Sequence, residues 1–210
     1  MKTQATRDKL IQIGAELIAE QGFNATGINA VLSRAGVPKG SFYHYFSSKE
    51  DFGLAVIDAF AEEYDERLAA ILQAPDQPPL ARLRRYFDVG RADMHSCDHA
   101  RGCLIGNLGQ ELSSRSEAFR ARLDQVFRQW ERHLVACLEE ARAEGEIVET
   151  LDVERLAVFI LAGWQGAMLR AKTTKSQAPM EAFEQVLFLE VLGRESVPAP
   201  SAANAAAEAP

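Results

Sequence analysis

Apolar residues recur at intervals of three and four along almost the whole chain, and nowhere do they alternate with polar residues for long enough to make a strand. The pattern predicts an all-α protein. Leu10, Ile13, Gly14, Leu17 and Ile18 share one face of a first helix that runs from a Thr6 cap to Gln21, with Gly22 as its stop. Two short segments follow, Ile28 to Ala35 and Lys39 to Tyr45, parted by Gly36, Val37 and Pro38; this is the pattern of helix, tight turn, helix. A fourth helix is expected to begin at Ser47, where Ser47 and Glu50 are spaced as a capping box, and to turn Phe52, Ala55, Val56, Ala59 and Phe60 inward. It should end near Gln73, ahead of the proline-rich stretch Ala74 to Pro79. Further helices are expected at about Leu80 to His95, Leu104 to Leu112, Ser116 to Glu144, Asp152 to Lys172 and Pro179 to Leu192. Beyond Gly193, an Ala/Pro tail offers nothing to pack, and residues 195–210 are expected to be disordered.

Composition narrows the class. A chain of 210 residues suits one domain with at most a small appendage, and 47% apolar with 25% charged residues is ordinary for a globular protein. No apolar run approaches the roughly 20 residues that span a bilayer, and no signal-peptide pattern opens the chain, so the expected location is the cytoplasm, with no membrane partner. Three scattered cysteines are an odd number and too few for a disulfide framework; they are expected to be reduced thiols. The net charge of −7 argues against a nucleic-acid binder until it is divided along the chain. Residues 1–50 carry a net +2 and the remaining 160 carry −9.

A helix-turn-helix reads DNA by placing its second helix in the major groove while neighbouring helix ends grip phosphates. The second helix here, Lys39-Gly40-Ser41-Phe42-Tyr43-His44-Tyr45, has suitable chemistry. Gly40 permits close backbone approach, Lys39 and Ser41 can donate to phosphates or base edges, and Tyr43 and His44 carry polar tips on flat rings. Pro38 opens the segment and belongs to the same candidate set. Phe42 and Phe46 should face inward and pin the helix. Lys49, in the first turn of the fourth helix, and Thr26, ahead of the second, are candidates for phosphate oxygens. An aromatic-rich helical corner without any partner would show the same spacing.

The run from Gly22 to Phe52, GFNATGINAVLSRAGVPKGSFYHYFSSKEDF, resembles the DNA-binding region of TetR-family transcriptional regulators. It departs at Gly27, where many members place a threonine, so a contact there would be through the backbone alone. The resemblance implies a DNA-binding head at 1–50 and a ligand-binding and dimerisation body of about six helices at 51–194. It further implies a repressor, not an enzyme, that binds a palindromic double-stranded operator as a homodimer and leaves it when a small effector binds. The segments Arg101 to Leu112, Gly163 to Ala167 and Leu169 to Lys172 resemble the subgroup that holds acrylate-responsive and N-ethylmaleimide-reductase-operon repressors. In that subgroup a cysteine matching Cys103 is associated with sensing electrophiles or oxidants.

Cys103 also stands at the N-terminus of a short predicted helix, where the dipole, exposed amides and the cations Arg101 and Lys172 would stabilise a thiolate. A buried, inert cysteine is the plainer alternative. An unsaturated carboxylate held by Arg170 or Lys172 and walled by Trp130, Trp164 and Met168 would use the same pocket, unless Glu111 or Asp93 already satisfies those cations. Cys97 could resolve an oxidised Cys103. His95, Cys97, His99 and Cys103 crowd nine residues and offer a tetrahedral metal set, which would make the protein a metal-responsive repressor. An enzyme with Cys103 as nucleophile, His99 as base and Glu111 assisting is the remaining alternative, although no cofactor loop accompanies it. No cofactor is expected. The dimer face should come from the last two helices, with Gly163, Gly166 and Ala167 allowing close approach and Val186, Phe188, Leu189 and Leu192 supplying apolar area.

Overall fold

A computed structural model describes residues 2–193, and among them every regular element is helical. The elements are α1 (Lys2–Gln21), α2 (Ile28–Ala35), a 3-10 turn (Lys39–Ser41) running into α3 (Phe42–Tyr45), α4 (Lys49–Leu72), α5 (Pro79–Ser96), α6 (Leu104–Leu112), α7 (Glu117–Ala143), α8 (Val153–Thr174) and α9 (Ala178–Val186), which continues as a π-helical turn (Leu187–Val191). The expected tail at 195–210 lies outside the described residues.

Three local expectations need correction. No breaker separates Lys2 from Thr6, so α1 begins at Lys2 and Thr6 sits within it instead of capping it. The capping box at the start of α4 is displaced by one residue. Ser48 is the cap, its Oγ accepting from the Asp51 amide at 3.0 Å, and Asp51 reaches back to accept from the Ser47 amide at 2.8 Å and the Ser47 hydroxyl at 3.1 Å. On α4, Ala59 faces solvent and Ile57 is buried, because this helix packs on α1 at its start, on α7 from Gly53 onward and on α5, and these several partners turn and widen its covered face.

The head closes on an aromatic knot. Phe42, Phe46 and Phe52 are buried with ring centroids 5.0 to 5.6 Å apart, so α3 is fixed to the first turn of α4 by aromatic contacts. The turn between α2 and α3 needs a left-handed residue, supplied by Gly36 at φ 67°, and the Val37 amide returns to the Leu32 carbonyl at 3.0 Å. α4 itself crosses the 50/51 line between head and body without a break. In the body, Trp164 on α8 meets Phe87 on α5 edge to face with ring centroids 4.7 Å apart, and Trp130 on α7 meets Tyr64 on α4 at a tilt, 4.6 Å apart. Buried Arg82 donates to the carbonyls of Leu72 at 2.8 Å and Gln77 at 2.9 Å and pairs with Glu140, tying the proline-rich loop to α5 and α7.

Candidate functional site

Six of the eight residues expected at DNA lie together on the head. Pro38, Lys39, Gly40, Tyr43 and His44 are exposed and Ser41 is half-buried, while Phe42 beneath them is fully covered. Tyr43 is 69% exposed, unusual for a large ring in a monomer surface and suited to a partner that covers it.

The other two point elsewhere. Thr26 is buried, its hydroxyl donating to the Gly22 carbonyl at 2.7 Å and accepting from Gln21 at 3.3 Å, so it braces the α1–α2 loop instead of facing a phosphate. Lys49 donates to the carbonyls of Phe23 at 2.8 Å and Asn24 at 3.2 Å and lies over the Phe23 ring at 4.6 Å. Burial lowers its pKa from the ordinary lysine value, against the opposing pull of Glu111. The amides of the same two residues, Phe23 and Asn24, donate to the Glu111 carboxylate of α6 at 2.9 and 2.7 Å. Gly22, at φ 85°, is required twice over here: a Cβ would also stand 3.0 Å from a Glu111 oxygen.

A cavity of about 310 Å³ opens in the body between α4, α5, the 96–103 loop and α8, at the small end of the range for ligand pockets. Cys103, Trp164 and Met168 line it, as do Phe60, Tyr64, Met94 and Cys97. Gly90 completes that wall, since a Cβ there would lie 2.8 Å from the Trp164 ring. Trp130 is buried behind Tyr64 and does not reach the cavity. Arg170 is exposed, and Lys172 lines a separate groove beside Glu20, Gly22 and Glu111, because the turn of α8 that carries them lies past the cavity wall. The cavity's cations are instead Arg67 and Arg101. Arg67 pairs with Asp93 at 2.8 Å, and Arg101 with Glu20 at 3.0 Å. The Tyr64 phenol is hydrogen-bonded to that of buried Tyr86, and burial pushes both far upward, so both stay protonated.

Tyr64 and Arg67 are not singled out from the sequence, and Phe60 is expected there only to face inward, although their spacing of four and three puts an aromatic, a phenol and a cation on one stripe of α4. A charge on a stripe otherwise apolar is the signal that could have found them.

Cys103 occupies the expected N-cap of α6, and its sulfur accepts from the Gly106 amide at 3.4 Å. The thiolate expectation nevertheless fails. Burial raises the thiol above its ordinary pKa and outweighs the hydrogen bonds from Gly106, Gln165 and Ile105 that act to lower it. Arg101 turns to Glu20, and Lys172 lies in the other groove.

The four-residue metal set does not assemble: among the described residues no group of three or more His, Cys, Asp or Glu is placed to hold an ion. Asp98 and His99 both adopt positive φ, at 50° and 54°, which swings the loop so that His99 is buried with neither ring nitrogen hydrogen-bonded. It therefore forms no nucleophile–base pair with Cys103, and Glu111 is committed to the head loop. All three cysteines are free thiols; Cys97 shares the cavity with Cys103, and Cys137 is buried.

The outward faces of α8 and α9 carry exposed Val158, Phe159, Leu169, Val186 and Leu189. Phe188, Leu192 and Ala167 are buried within the chain, and Gly163 makes room for Phe183, whose ring a Cβ would meet at 2.3 Å. Gly166 is exposed with open space above it. No described helix is long and apolar enough to cross a membrane.

Comparison with known proteins agrees with this arrangement. Residues 10–56 match the family described as bacterial regulatory proteins, tetR family, and residues 79–187 match the tetracyclin repressor-like C-terminal domain. The chain is similar to the transcriptional regulator AcuR of Cereibacter sphaeroides, 40% identical over 174 residues covering 83% of this chain and 80% of that one. It is 34% identical over 178 residues to the HTH-type transcriptional repressor NemR of Escherichia coli K12, covering 84% and 88% of the two chains. The crystal structure of reduced E. coli NemR matches with a TM-score of 0.79 at 32% identity over 89% of this chain and 96% of that one. A regulatory protein TetR from Rhodobacter sphaeroides matches with a TM-score of 0.81 at 39% identity over 85% and 95%.

Proposed function

We propose, for a chain that belongs to the tetR family of transcriptional regulators and is no enzyme, that it is a homodimeric repressor, acting in the cytoplasm, which a small α,β-unsaturated carbonyl compound releases from a palindromic operator. The observation that carries this is the 310 Å³ cavity, in which a free thiol at the cap of α6 shares one space with an aromatic wall and a protonated phenol.

Pro38, Lys39, Gly40, Ser41, Tyr43 and His44 form the DNA-reading face of each head. Pairing through the exposed apolar residues of α8 and α9 sets two such faces about one helical turn of DNA apart, or a multiple of it. The chain divides into a head at residues 1–50 and a body beyond, a reading supported by one family match at 10–56 and another at 79–187. Within the cavity, Trp164, Met168 and Phe60 cover the apolar part of the effector, Tyr64 donates to its carbonyl oxygen, and the unsaturated carbon meets Cys103. Addition there needs no oxidant: sulfur bonds to the β-carbon and the thiol proton ends on the α-carbon.

Arg67 and Arg101 are already paired with carboxylates, so an anionic head group gains little over a neutral one. Acrylamide, the neutral counterpart of acrylate, is therefore expected to release the upstream operator at least as well as acrylate. Fluorescence anisotropy of labelled operator, titrated with each compound on the intact protein and on Cys103→Ser, measures this. Release of the variant as readily as the wild type, or no release by either compound, would sink the proposal.

A further inference from the structure

Helix α6 has one end at the cavity and the other on the head. Its cap, Cys103, lines the cavity, and Glu111 lies in its last turn. They lie eight positions apart along the helix, a rise of about 12 Å. At the far end the peptide groups of Phe23 and Asn24 are gripped from two sides by opposite charges. Glu111, from the body, takes both amides at 2.9 and 2.7 Å, while Lys49, from the head end of α4, donates to both carbonyls at 2.8 and 3.2 Å. The loop so held runs directly into buried Thr26 and then α2. Arg101–Glu20 is a second bridge between body and head, but both of its side chains are well exposed and Glu20 is shared with Arg34, so solvent weakens it.

We infer that Glu111 is the positioning residue through which occupancy of the cavity reaches the DNA-reading head: its bonds to the Phe23 and Asn24 amides hold the head in its DNA-binding pose, and displacement of Cys103 withdraws them. The inference rests on the cavity being the effector site. The physical ground is the combination of a short, internally hydrogen-bonded rod with contacts of steep distance dependence. A shift of about 1 Å along α6 takes bonds of 2.7 and 2.9 Å past the usual limit of about 3.2 Å. It also removes from Lys49 the carboxylate that balances it. Both ends bias one element, which is the physical requirement for coupling two sites.

The experiment uses the full chain and N-ethylmaleimide as probe. Modification of Cys103 is followed by peptide mass, and operator dissociation constants are measured for modified and unmodified protein. The wild-type ratio of the two constants is expected to be about tenfold or more, within the usual range for coupled sites. In Glu111→Ala, with Cys103 modified to the same extent, it should fall to about twofold or less. Glu111→Gln, which keeps the volume but loses the charge, should give an intermediate ratio and serves if the alanine variant folds poorly. Gln110→Ala, exposed on the same helix end, should keep the wild-type ratio. A merely structural Glu111 would change affinity and leave the ratio alone. A wild-type ratio in either Glu111 variant overturns the inference. If the wild type itself shows no change on modification, the effector reading fails, independently of Glu111.

Discussion

At Cys103 two influences on one thiol oppose each other, and their balance sets how it reacts. The amides at the start of α6 favour a thiolate, but taking the sulfur out of water disfavours it more, so the pKa lies above the ordinary thiol value. The neutral form therefore persists at neutral pH. Any stability this group contributes through linkage is complete below the ordinary thiol pKa and is lost as pH rises toward the folded value. The alkylation rate of Cys103 by iodoacetamide should rise about tenfold per pH unit from pH 7, with no levelling at the free-thiol pKa of about 8.5. Peptide-resolved mass spectrometry follows it, and a plateau near neutrality would show an activated thiolate. The position of Cys103 at a helix cap was legible in the sequence. Its protonation was not, because the surroundings of the sulfur include Trp164 and Met168 of α8, more than sixty residues away. Thr26 and Lys49 carry the same lesson: their place beside the helix-turn-helix was legible, but the carbonyls that hold them inward belong to a loop whose course only the folded head defines.

The helices themselves were read well where local signals suffice. α2 and α6 begin and end at the expected residues, and Ser116 and Asp152 cap α7 and α8. Errors arise where neighbouring residues compete for one role, as Ser47 and Ser48 do, or where several helices share a partner, as with Ala59 and Ile57 on α4. The apolar residues at the end of α9 and in the turn that continues it divide in a way that periodicity alone could not settle. Phe188 and Leu192 complete the chain's own core, whereas Val186 and Leu189 stay outside, Leu189 at 68% exposure. An exposed site tolerates substitution within about 0.5 kcal/mol in a folded monomer. Leu189→Glu is thus expected to leave the thermal unfolding of the subunit nearly unchanged while shifting sedimentation from dimer toward monomer and weakening operator binding. A dimer unchanged at micromolar concentration would place the interface elsewhere.

Across the whole molecule, the charge of −7 resolves into a mildly basic head on an acidic body, yet fewer head cations are free than the count implies. Arg34 is engaged by Glu16 at 3.2 Å and Glu20 at 3.6 Å, and Lys49 by two backbone carbonyls. Removing one cation that neutralises a phosphate lowers the slope of log affinity against log salt by about 0.9. Lys39→Ala, which takes one such cation from each of two heads, should lower the slope by about 2. Lys49→Ala should weaken binding through mispositioning and leave the slope unchanged; operator titrations at several salt concentrations separate the two, and an equal drop for both would make Lys49 a phosphate ligand. The passage of α4 from head to body also bears on how such regulators can be recombined. A chimaera joined at residue 50 would sever Phe52 from Phe42 and Phe46 and leave each partner with a broken hydrophobic seam. Grafting a new operator preference onto this sensor therefore calls for a junction beyond the aromatic knot, carrying the first turns of α4 with the transplanted head.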